Sequence, residues 1–309
     1  MAFRHSFGSW SDRAGRAVRR IPVLGATWSV VASAAVRFNV DDGWAIASHV
    51  ALSMLLSLFP FLVILGTLAA LVGTREMATE AAQLVLSTWP KGVSDPISSE
   101  VNAVLERPRS GLLTLSFLAS IWVASNGIEA LRLALNRAYR SSEDRNPVFR
   151  RLQSLAFVAM GSIALLVVGL LLVLGPIVWS TALSYVPWLG SFSGVFHFGR
   201  FFLAAMILVI ALIAAHVWLP AGRRRFVDLL PGILATLVLW MAGAAGFGYY
   251  LKDFANYAAT YAGLAGVMTS IVFLYLSAGL LILGAEINAA RLRYLANRAL
   301  QPPPEPRSR

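Results

Sequence analysis

Polar side chains recur along one side of an early apolar run, residues 44–72. His49, Ser53, Ser57 and Pro60 are spaced four, four and three residues apart, which places them on one side of a helix. Because a neutral histidine titrates near physiological pH, this stripe predicts the lining of a cavity or a proton-sensitive pathway. Ordinary hydrogen bonding is the alternative, and it is preferred for the two serines.

A second group of polar side chains lies where other apolar runs end. Glu129, His216, Glu286 and Asn288 are predicted to form an inner gate or substrate contact, because polar groups in or beside apolar helices are costly and often functional. Glu129 also has a simpler explanation, an ion pair with Arg132 three residues later.

A third group follows in the connection after residue 131. It is predicted to be a structured link between two helices and consists of Asn136, Tyr139, Glu143 and Arg145.

Small residues on the last two apolar runs predict close contact between helices, because they let two backbones approach. A substrate path is the less favoured interpretation. The residues are Gly243, Gly246, Gly266, Ser270, Ser277 and Gly284.

The composition indicates which elements must position these residues. Of the 309 residues, 58% are hydrophobic and only 13% are charged, against about 25% charged in a typical soluble domain. Runs of about 20 apolar residues are long enough to cross a bilayer as helices. Six such runs predict an all-α polytopic membrane protein with spans at residues 44–72, 111–131, 155–179, 201–219, 229–251 and 263–285.

The distribution of charge predicts the orientation. The net charge of +11 first suggests nucleic acid, but 20 of the 26 Lys and Arg residues fall in alternate connecting segments. This asymmetry is the signal that keeps segments in the cytoplasm. We therefore expect both termini there, anionic inner-leaflet headgroups as partners, and no nucleic acid partner.

The predicted organisation has three parts. Residues 1–43 form a cytoplasmic region whose residues from 24 to 38 suggest an amphipathic helix lying at the interface, an interpretation preferred to a signal peptide. Residues 44–288 form the membrane domain, with an outer helical hairpin at about 73–110. Residues 289–309 form a basic, Pro-rich cytoplasmic tail.

Motifs of soluble enzymes are missing from the sequence. It contains no P-loop, paired-histidine metal spacing, nucleophile elbow or dinucleotide fingerprint, and it has no cysteine. We expect no enzyme activity, metal or cofactor.

Several blocks in succession resemble the YihY/BrkB family of bacterial inner-membrane proteins, which also carries an old ribonuclease BN label. They are ASHVAL at 47–52, SLFP at 57–60, LNRAY at 135–139 with Glu143 and Arg145, LPG at 230–232, FANY at 254–257 and LGAEIN at 283–288. The resemblance implies a six-span inner-membrane protein with cytoplasmic termini and no settled activity.

The expected function is transport of a lipid or small molecule whose identity the sequence does not specify. A non-transporting protein that organises the envelope is the alternative. A membrane-tethered ribonuclease is the less favoured third hypothesis.

Overall fold

The computed structural model describes residues 22–72, 112–260 and 262–300. The described residues are helical throughout apart from short connections, and no strand occurs among them, so the all-α class is confirmed for this part of the chain. The helices are α1 (Pro22–Val40), α2 (Gly43–Val72), α3 (Leu112–Tyr139), α4 (Pro147–Tyr185), a 3-10 helix (Pro187–Phe192), α5 (Ser193–Trp218), α6 (Phe226–Thr260) and α7 (Ala262–Ala299).

Each of the six predicted spans lies within one of the helices α2 to α7, and several of these helices are longer than the span. Two end residues differ: residue 219 follows the end of α5, and residue 111 lies outside the described ranges. Among the described residues, four helical segments are long and apolar enough to cross a membrane: Pro147–Tyr185, Pro187–Trp218, Phe226–Leu251 and Val267–Ala299. Gly43–Leu58 is a shorter apolar helix. A membrane protein is thus supported, while the count of six spans stays a prediction.

Several predicted flanking features lie outside the described residues, namely residues 1–21, the outer hairpin at 73–110 and the Pro-rich end of the tail at 301–309. Residues 289–299, predicted as the start of the tail, continue helix α7. Helix α1 has Ala34 and Phe38 buried, whereas Trp28 and Val31 are exposed. The interfacial position of α1 stays a prediction.

Helix α7 is the centre of the bundle, because it packs on α6, α2, α1 and α3. Helices α2 and α3 form the other extensive pair, while α5 packs mainly on its neighbours α4 and α6 and on the short 3-10 helix. We call the end of the bundle where α3 and α5 finish and α6 begins the basal end. The main apolar core lies toward this end and includes Val50, Leu135, Leu219, Leu229 and Ile233.

Local sequence determines where the long helix α4 begins and how its interior proline is accommodated. Asn146 accepts a hydrogen bond from the backbone N–H of Val148 at 2.8 Å, and Pro147 occupies the first turn, as is common at helix starts. Pro176 has no N–H to donate to the carbonyl of Leu172. Arg200 of α5 donates to that carbonyl instead, at 3.4 Å.

Candidate functional site

The connection between α3 and α4 is fastened by Glu143. Arg145 donates to both of its carboxylate oxygens, at 2.7 and 2.6 Å, and the Asn136 amide donates to Oε2 at 2.8 Å. These hydrogen bonds, with those from Arg145 first, lower the pKa of Glu143 to about 2. The carboxylate is therefore ionised at neutral pH and holds the connection in one conformation.

The same arginine ties the connection to the end of α5. Arg145 donates to the carbonyl oxygens of Leu219 at 2.7 Å and Trp218 at 3.4 Å. Gln153 of α4 donates to the Trp218 carbonyl at 2.6 Å. The Asn136 side chain accepts from the backbone N–H of Ala221 at 2.6 Å. Because the last carbonyls of a helix have no partner within it, these side chains satisfy groups that the end of α5 leaves free.

Glu129 belongs to a separate cluster between α3 and α4. It accepts hydrogen bonds from Arg132 at 2.6 Å and from the Ser154 hydroxyl at 2.8 Å. Arg132 is only 2% exposed and also donates to Ser154 and to the Arg150 carbonyl. The ion pair considered from the sequence is present within α3. The hydrogen bonds of both side chains with Ser154, and that of Arg132 with the Arg150 carbonyl, join α3 to α4.

Asn288 joins α7 to the first turns of α6. Its side-chain oxygen accepts from the backbone N–H of Gly232 at 2.6 Å, and its nitrogen donates to the Leu229 carbonyl at 2.8 Å. The same nitrogen lies 3.3 Å from the Tyr139 hydroxyl, to which it donates. The side chain is fully buried, so its bonding capacity is used inside the protein.

His216 is buried at the basal end of α5. Its Nδ1 atom lies 2.9 Å from the Leu212 carbonyl, and its Nε2 atom has no hydrogen-bond partner among the described residues. The Tyr139 ring packs edge-on against the imidazole, with ring centroids 6.3 Å apart. Arg224 covers the other part of that tyrosine, with its guanidinium carbon 4.2 Å from the ring centroid, and burial lowers the pKa of Arg224.

Glu286 lies on another side of α7 from Asn288. It is 1% exposed, and Arg293 Nη2 lies 3.6 Å from its Oε2 atom. The ion pair between Arg140 and Asp41, 2.7 Å long, joins the end of α3 to the turn between α1 and α2 near this carboxylate. The structure therefore brings His216, Asn136, Tyr139 and Asn288 to one region, with Glu129 and Glu286 in two others.

The residues of the predicted polar stripe on α2 lie in different surroundings. Ser57 is buried, accepts from the backbone N–H of Gly127 on α3 at 3.0 Å, and donates to the carbonyl oxygens of Ser53 and Val123. His49 is exposed, and Pro60 lies inside α2. Ser57 thus serves contact between helices, and the lining of a cavity by these four residues stays a prediction.

Three of the predicted small residues lie where α6 and α7 meet. A Cβ atom at Gly284 would overlap Thr236 Oγ1, and one at Gly243 would lie 2.8 Å from Leu280 Cδ1. The Ser277 carbonyl accepts from the Trp240 indole at 2.9 Å. Ser270 is buried on α7.

The other two predicted packing glycines have a different outcome. A Cβ atom at Gly246 would have no described atom within 4 Å, so no described helix packs against this side of α6 at that position. Its surroundings therefore differ from those expected for a packing residue. The side-chain surroundings of position 266 lie outside the described residues.

An apolar cavity of about 480 Å³ lies between α5, α6 and α7, with one residue each from α2 and α3. Its wall includes Leu131, Leu212, Trp240, Leu276 and Leu281. The Trp240 N–H is occupied by the Ser277 carbonyl, so the wall offers almost only carbon atoms. None of His49, Ser53, Ser57 and Pro60 belongs to it.

The opening of this cavity is formed by exposed side chains on three helices. Leu208 and Ala211 lie on α5, Ala244 on α6 and Phe273 on α7. Leu208 is 46% and Phe273 43% exposed. The cavity therefore opens sideways, between helices that are apolar enough to cross a membrane, and not toward an end of the bundle.

Sequence reasoning missed several residues that complete the basal contacts. Gln153 and Ser154 gave no signal, because a polar residue near the start of a helix is ordinary until the fold shows its partner. Gly232 and Thr236 stand opposite Gly284 on α6, and their pairing depends on how the two helices cross. The spacing of Arg132 from Glu129 gave a signal for their ion pair, but nothing in the sequence indicated the contacts of Arg132 with α4.

The described residues contain no group of three or more histidine or acidic side chains placed to hold a metal ion. The basal contacts are instead pairs and short chains of hydrogen bonds that connect helix ends. The structure thus combines an apolar cavity that opens to the side of the bundle with a polar basal end, where many hydrogen bonds join the helices.

Comparison with known proteins places this arrangement among membrane proteins. Residues 34–308 match the family described as Virulence factor BrkB. The ribonuclease-like protein YfkH of Bacillus subtilis (strain 168) is 31% identical over 82% of this chain and 91% of its own length. The UPF0761 membrane protein RC1_0578 of Rhodospirillum centenum is 27% identical over 96% of this chain.

The chain spans 65% of the length of the Rhodospirillum centenum protein. A third relative, the UPF0761 membrane protein PBPRA3489 of Photobacterium profundum, is 24% identical over 79% of this chain and 75% of its own length. No solved structure matches the chain.

Proposed function

Because the chain belongs to the Virulence factor BrkB family, whose relatives include UPF0761 membrane proteins, we propose that it moves a lipid-like or other small amphipathic molecule across or within the bacterial inner membrane. The substrate would enter from the hydrocarbon region. Both termini and the basal end would face the cytoplasm.

The observation that supports this proposal best is the sideways opening of the apolar cavity. Its volume of about 480 Å³ falls within the range of about 300 to 1,000 Å³ that is usual for small-molecule sites. A water-soluble solute would gain little from a wall of carbon atoms, because its polar groups would lose their hydrogen bonds. An amphipathic molecule could place its apolar part there and keep its polar part outside.

A translocator also needs a fixed point against which a helix can move, and the basal polar contacts would supply it. Arg145 and Asn136 hold the end of α5, and Asn288 holds the start of α6. Both helices contribute to the cavity opening. A change in the angle between them would change the opening while the basal end stays joined. His216 and Glu286 remain candidates for an inner gate in this proposal.

The orientation rests on the excess of Lys and Arg in alternate segments. In the described basal connections, Arg223 and Arg225 are exposed, as expected of side chains beside anionic inner-leaflet lipid. A cysteine introduced at position 223 should react with a membrane-impermeant thiol reagent only after the inner membrane is opened. Reaction in intact spheroplasts would reject this orientation.

A flux measurement tests the proposed function directly. The full chain is reconstituted into vesicles that contain phosphatidylglycerol with a fluorescent headgroup, and a membrane-impermeant reductant is added outside. Translocation predicts that fluorescence protected in the inner leaflet becomes accessible, with or without an imposed proton gradient. Decay identical to that of protein-free vesicles under both conditions, together with unchanged distribution of fluorescent lysophospholipid, would reject the proposal.

Exposed aromatic residues favour a second candidate, an envelope-organising protein that does not transport. Tyr185, Trp188, Phe192 and Phe198 are all more than half exposed around the connection between α4 and α5. A belt of aromatic residues at the membrane interface has the same composition. Replacing Trp188 and Phe198 by serine separates the candidates: loss of a cellular phenotype with normal flux would favour the organising role.

The name of the Bacillus subtilis relative raises nuclease activity as a third possibility. We propose transport without catalysis, because Arg145, Asn136 and Asn288 at the basal end are occupied with the backbone of helix ends. Purified protein incubated with RNA and Mg²⁺ at low salt, where phosphate contacts are strongest, is expected neither to bind nor to cleave it. Cleavage that survives purification and disappears on substitution of a basal residue would favour the nuclease.

A further inference from the structure

We infer that the apolar cavity binds an acyl chain of an anionic phospholipid whose headgroup lies at the basal end, beside Arg223 and Arg225. This inference rests on the proposed function, because it names the class of amphiphile that the same cavity takes. It adds the charge of the headgroup and the end of the bundle at which the headgroup lies.

The volume is sufficient for an acyl chain. The cavity of about 480 Å³ lies within the range of about 300 to 1,000 Å³ that is usual for small-molecule sites, and its wall is almost only carbon. An acyl chain can therefore occupy it while the rest of the lipid stays in the bilayer outside the opening.

The cavity extends from the basal end along most of the thickness of a membrane. Ala215, which lines it, lies three residues before the basal end of α5 at Trp218, about 5 Å away at a rise of about 1.5 Å per residue. Ala244, which also lines it, lies 18 residues after Phe226, where α6 begins at the basal end, or about 27 Å away. Since a hydrocarbon core is about 30 Å thick, a chain in the cavity can run along the bilayer with its headgroup at the basal end.

The charge at the basal end selects the headgroup. Arg223 and Arg225 lie in the connection between α5 and α6 and are exposed, and neither forms an ion pair with a carboxylate of the described residues. Arg224 between them is already used, because it covers the Tyr139 ring and donates to the Ala221 carbonyl and the Ser141 hydroxyl. Two guanidinium groups without a carboxylate partner near the membrane surface favour an anionic over a zwitterionic headgroup.

The opening offers a way to block the chain without disturbing the core. Ala244 is exposed and lines the cavity, whereas its neighbour Ala245 is exposed and does not. Ala244→Phe should fill the opening, and Ala245→Phe adds the same ring on a surface outside the cavity. Ala211→Phe on α5 gives a second block, with Ala205→Phe as its control.

The experiment uses the full chain in phosphatidylcholine vesicles containing a trace of phosphatidylglycerol with a diazirine in the middle of one acyl chain. After illumination, labelled peptides are identified by mass spectrometry. We expect labels concentrated on the cavity segments of α5, α6 and α7, with a preference of about fivefold or more over the phosphatidylcholine analogue. Labels spread evenly over all exposed apolar helix faces would overturn the inference.

Substitutions at the cavity opening and at the basal arginines test whether the labelling depends on these two features. Ala244→Phe and Ala211→Phe should each reduce labelling of the cavity about tenfold, while their controls label as the unmodified protein does. Arg223→Gln with Arg225→Gln should remove the preference for phosphatidylglycerol, and Arg137→Gln with Arg298→Gln should keep it. If the blocked variants label the cavity normally, or if both double variants behave alike, the inference is wrong.

Binding and flux can fail separately. Cavity labelling without lipid flux would keep this inference and reject translocation. Flux without cavity labelling would keep the proposed function and reject this site. A variant that does not fold is recognised by its elution profile in detergent, and the second blocking position then supplies the test.

Discussion

The backbone N–H of Gly232 donates to the side-chain oxygen of Asn288 at 2.6 Å, which joins α6 to α7 where α6 begins. Pro231 precedes this glycine inside α6, and the two helices approach so closely that a Cβ atom at Gly232 would overlap the Gly284 carbonyl. The amide of Asn288 also donates to the Leu229 carbonyl. One side chain therefore holds the backbone on both sides of the proline.

Replacing Asn288 by alanine should destabilise the protein, because the backbone groups of Gly232 and Leu229 would lose their side-chain partner in a buried place. The expected loss is about 2 kcal/mol, measured as the free energy of unfolding in detergent. Asn297→Ala, on the exposed end of the same helix, should change it little. Equal effects of the two substitutions would show that the Asn288 contacts do not stabilise the fold.

Gly284→Ala should destabilise the contact between α6 and α7. The added Cβ would overlap Thr236 Oγ1 and lie 2.8 Å from the Gly232 carbonyl, and backbone atoms cannot move aside as the end of a flexible side chain can. Overpacking of this kind costs about 1 to 3 kcal/mol. Gly246→Ala is the matched control on α6, because its Cβ would have no described atom within 4 Å. Its thermal midpoint should equal or exceed that of the unmodified protein, and a Gly284→Ala midpoint as high as this would contradict the close contact.

The ion pair of Glu143 predicts a dependence of stability on acid. Its pKa, lowered by Arg145 to about 2, lies below the ordinary value of an unfolded glutamate, about 4.3. The folded state therefore gains stability from this group above a pH of about 4.3, and loses it as the pH falls toward about 2. Glu143→Gln should remove this part of the acid dependence, whereas Asp144→Asn, at an exposed neighbour, should keep it. Identical pH profiles for Glu143→Gln and the unmodified protein would contradict the assignment.

The contribution of Arg132 to the free energy of unfolding should depend on Glu129. Replacing Arg132 by methionine leaves a carboxylate between α3 and α4 without its cation. Because Glu129 is 30% exposed, the expected loss is about 1 to 3 kcal/mol. Glu129→Gln in the same chain should recover part of that loss. A double-mutant cycle on the unfolding free energy measures this coupling; additive effects would mean that the two side chains act independently.

The helices could be predicted from the sequence more fully than the site. Long apolar runs identify α2 and α4 to α7 directly, because only a helix satisfies the backbone over such a length. The positions of Glu129 and Asn288 near the ends of apolar runs could also be predicted from the sequence, although both helices continue beyond them. Their partners could not, since Ser154 and Gly232 reach them only through the way the helices cross.

The position of the cavity could not be predicted from the sequence either. The polar stripe of His49, Ser53 and Ser57 predicts a cavity beside α2, whereas the cavity between α5, α6 and α7 contains none of these residues. The observed cavity is formed mainly by leucines and alanines from several helices, and these are too common in apolar runs to stand out. A cavity of this kind depends on what packing leaves unfilled, which periodicity does not reveal.

Passage of lipid-like molecules through the sideways-opening cavity is tested most directly by the rate of phosphatidylglycerol translocation in vesicles. The rate is measured for the unmodified chain, Ala244→Phe and Ala245→Phe at matched protein content. Passage through the cavity predicts that Ala244→Phe slows translocation about tenfold or more while Ala245→Phe leaves it unchanged. Equal rates in all three proteins would contradict it.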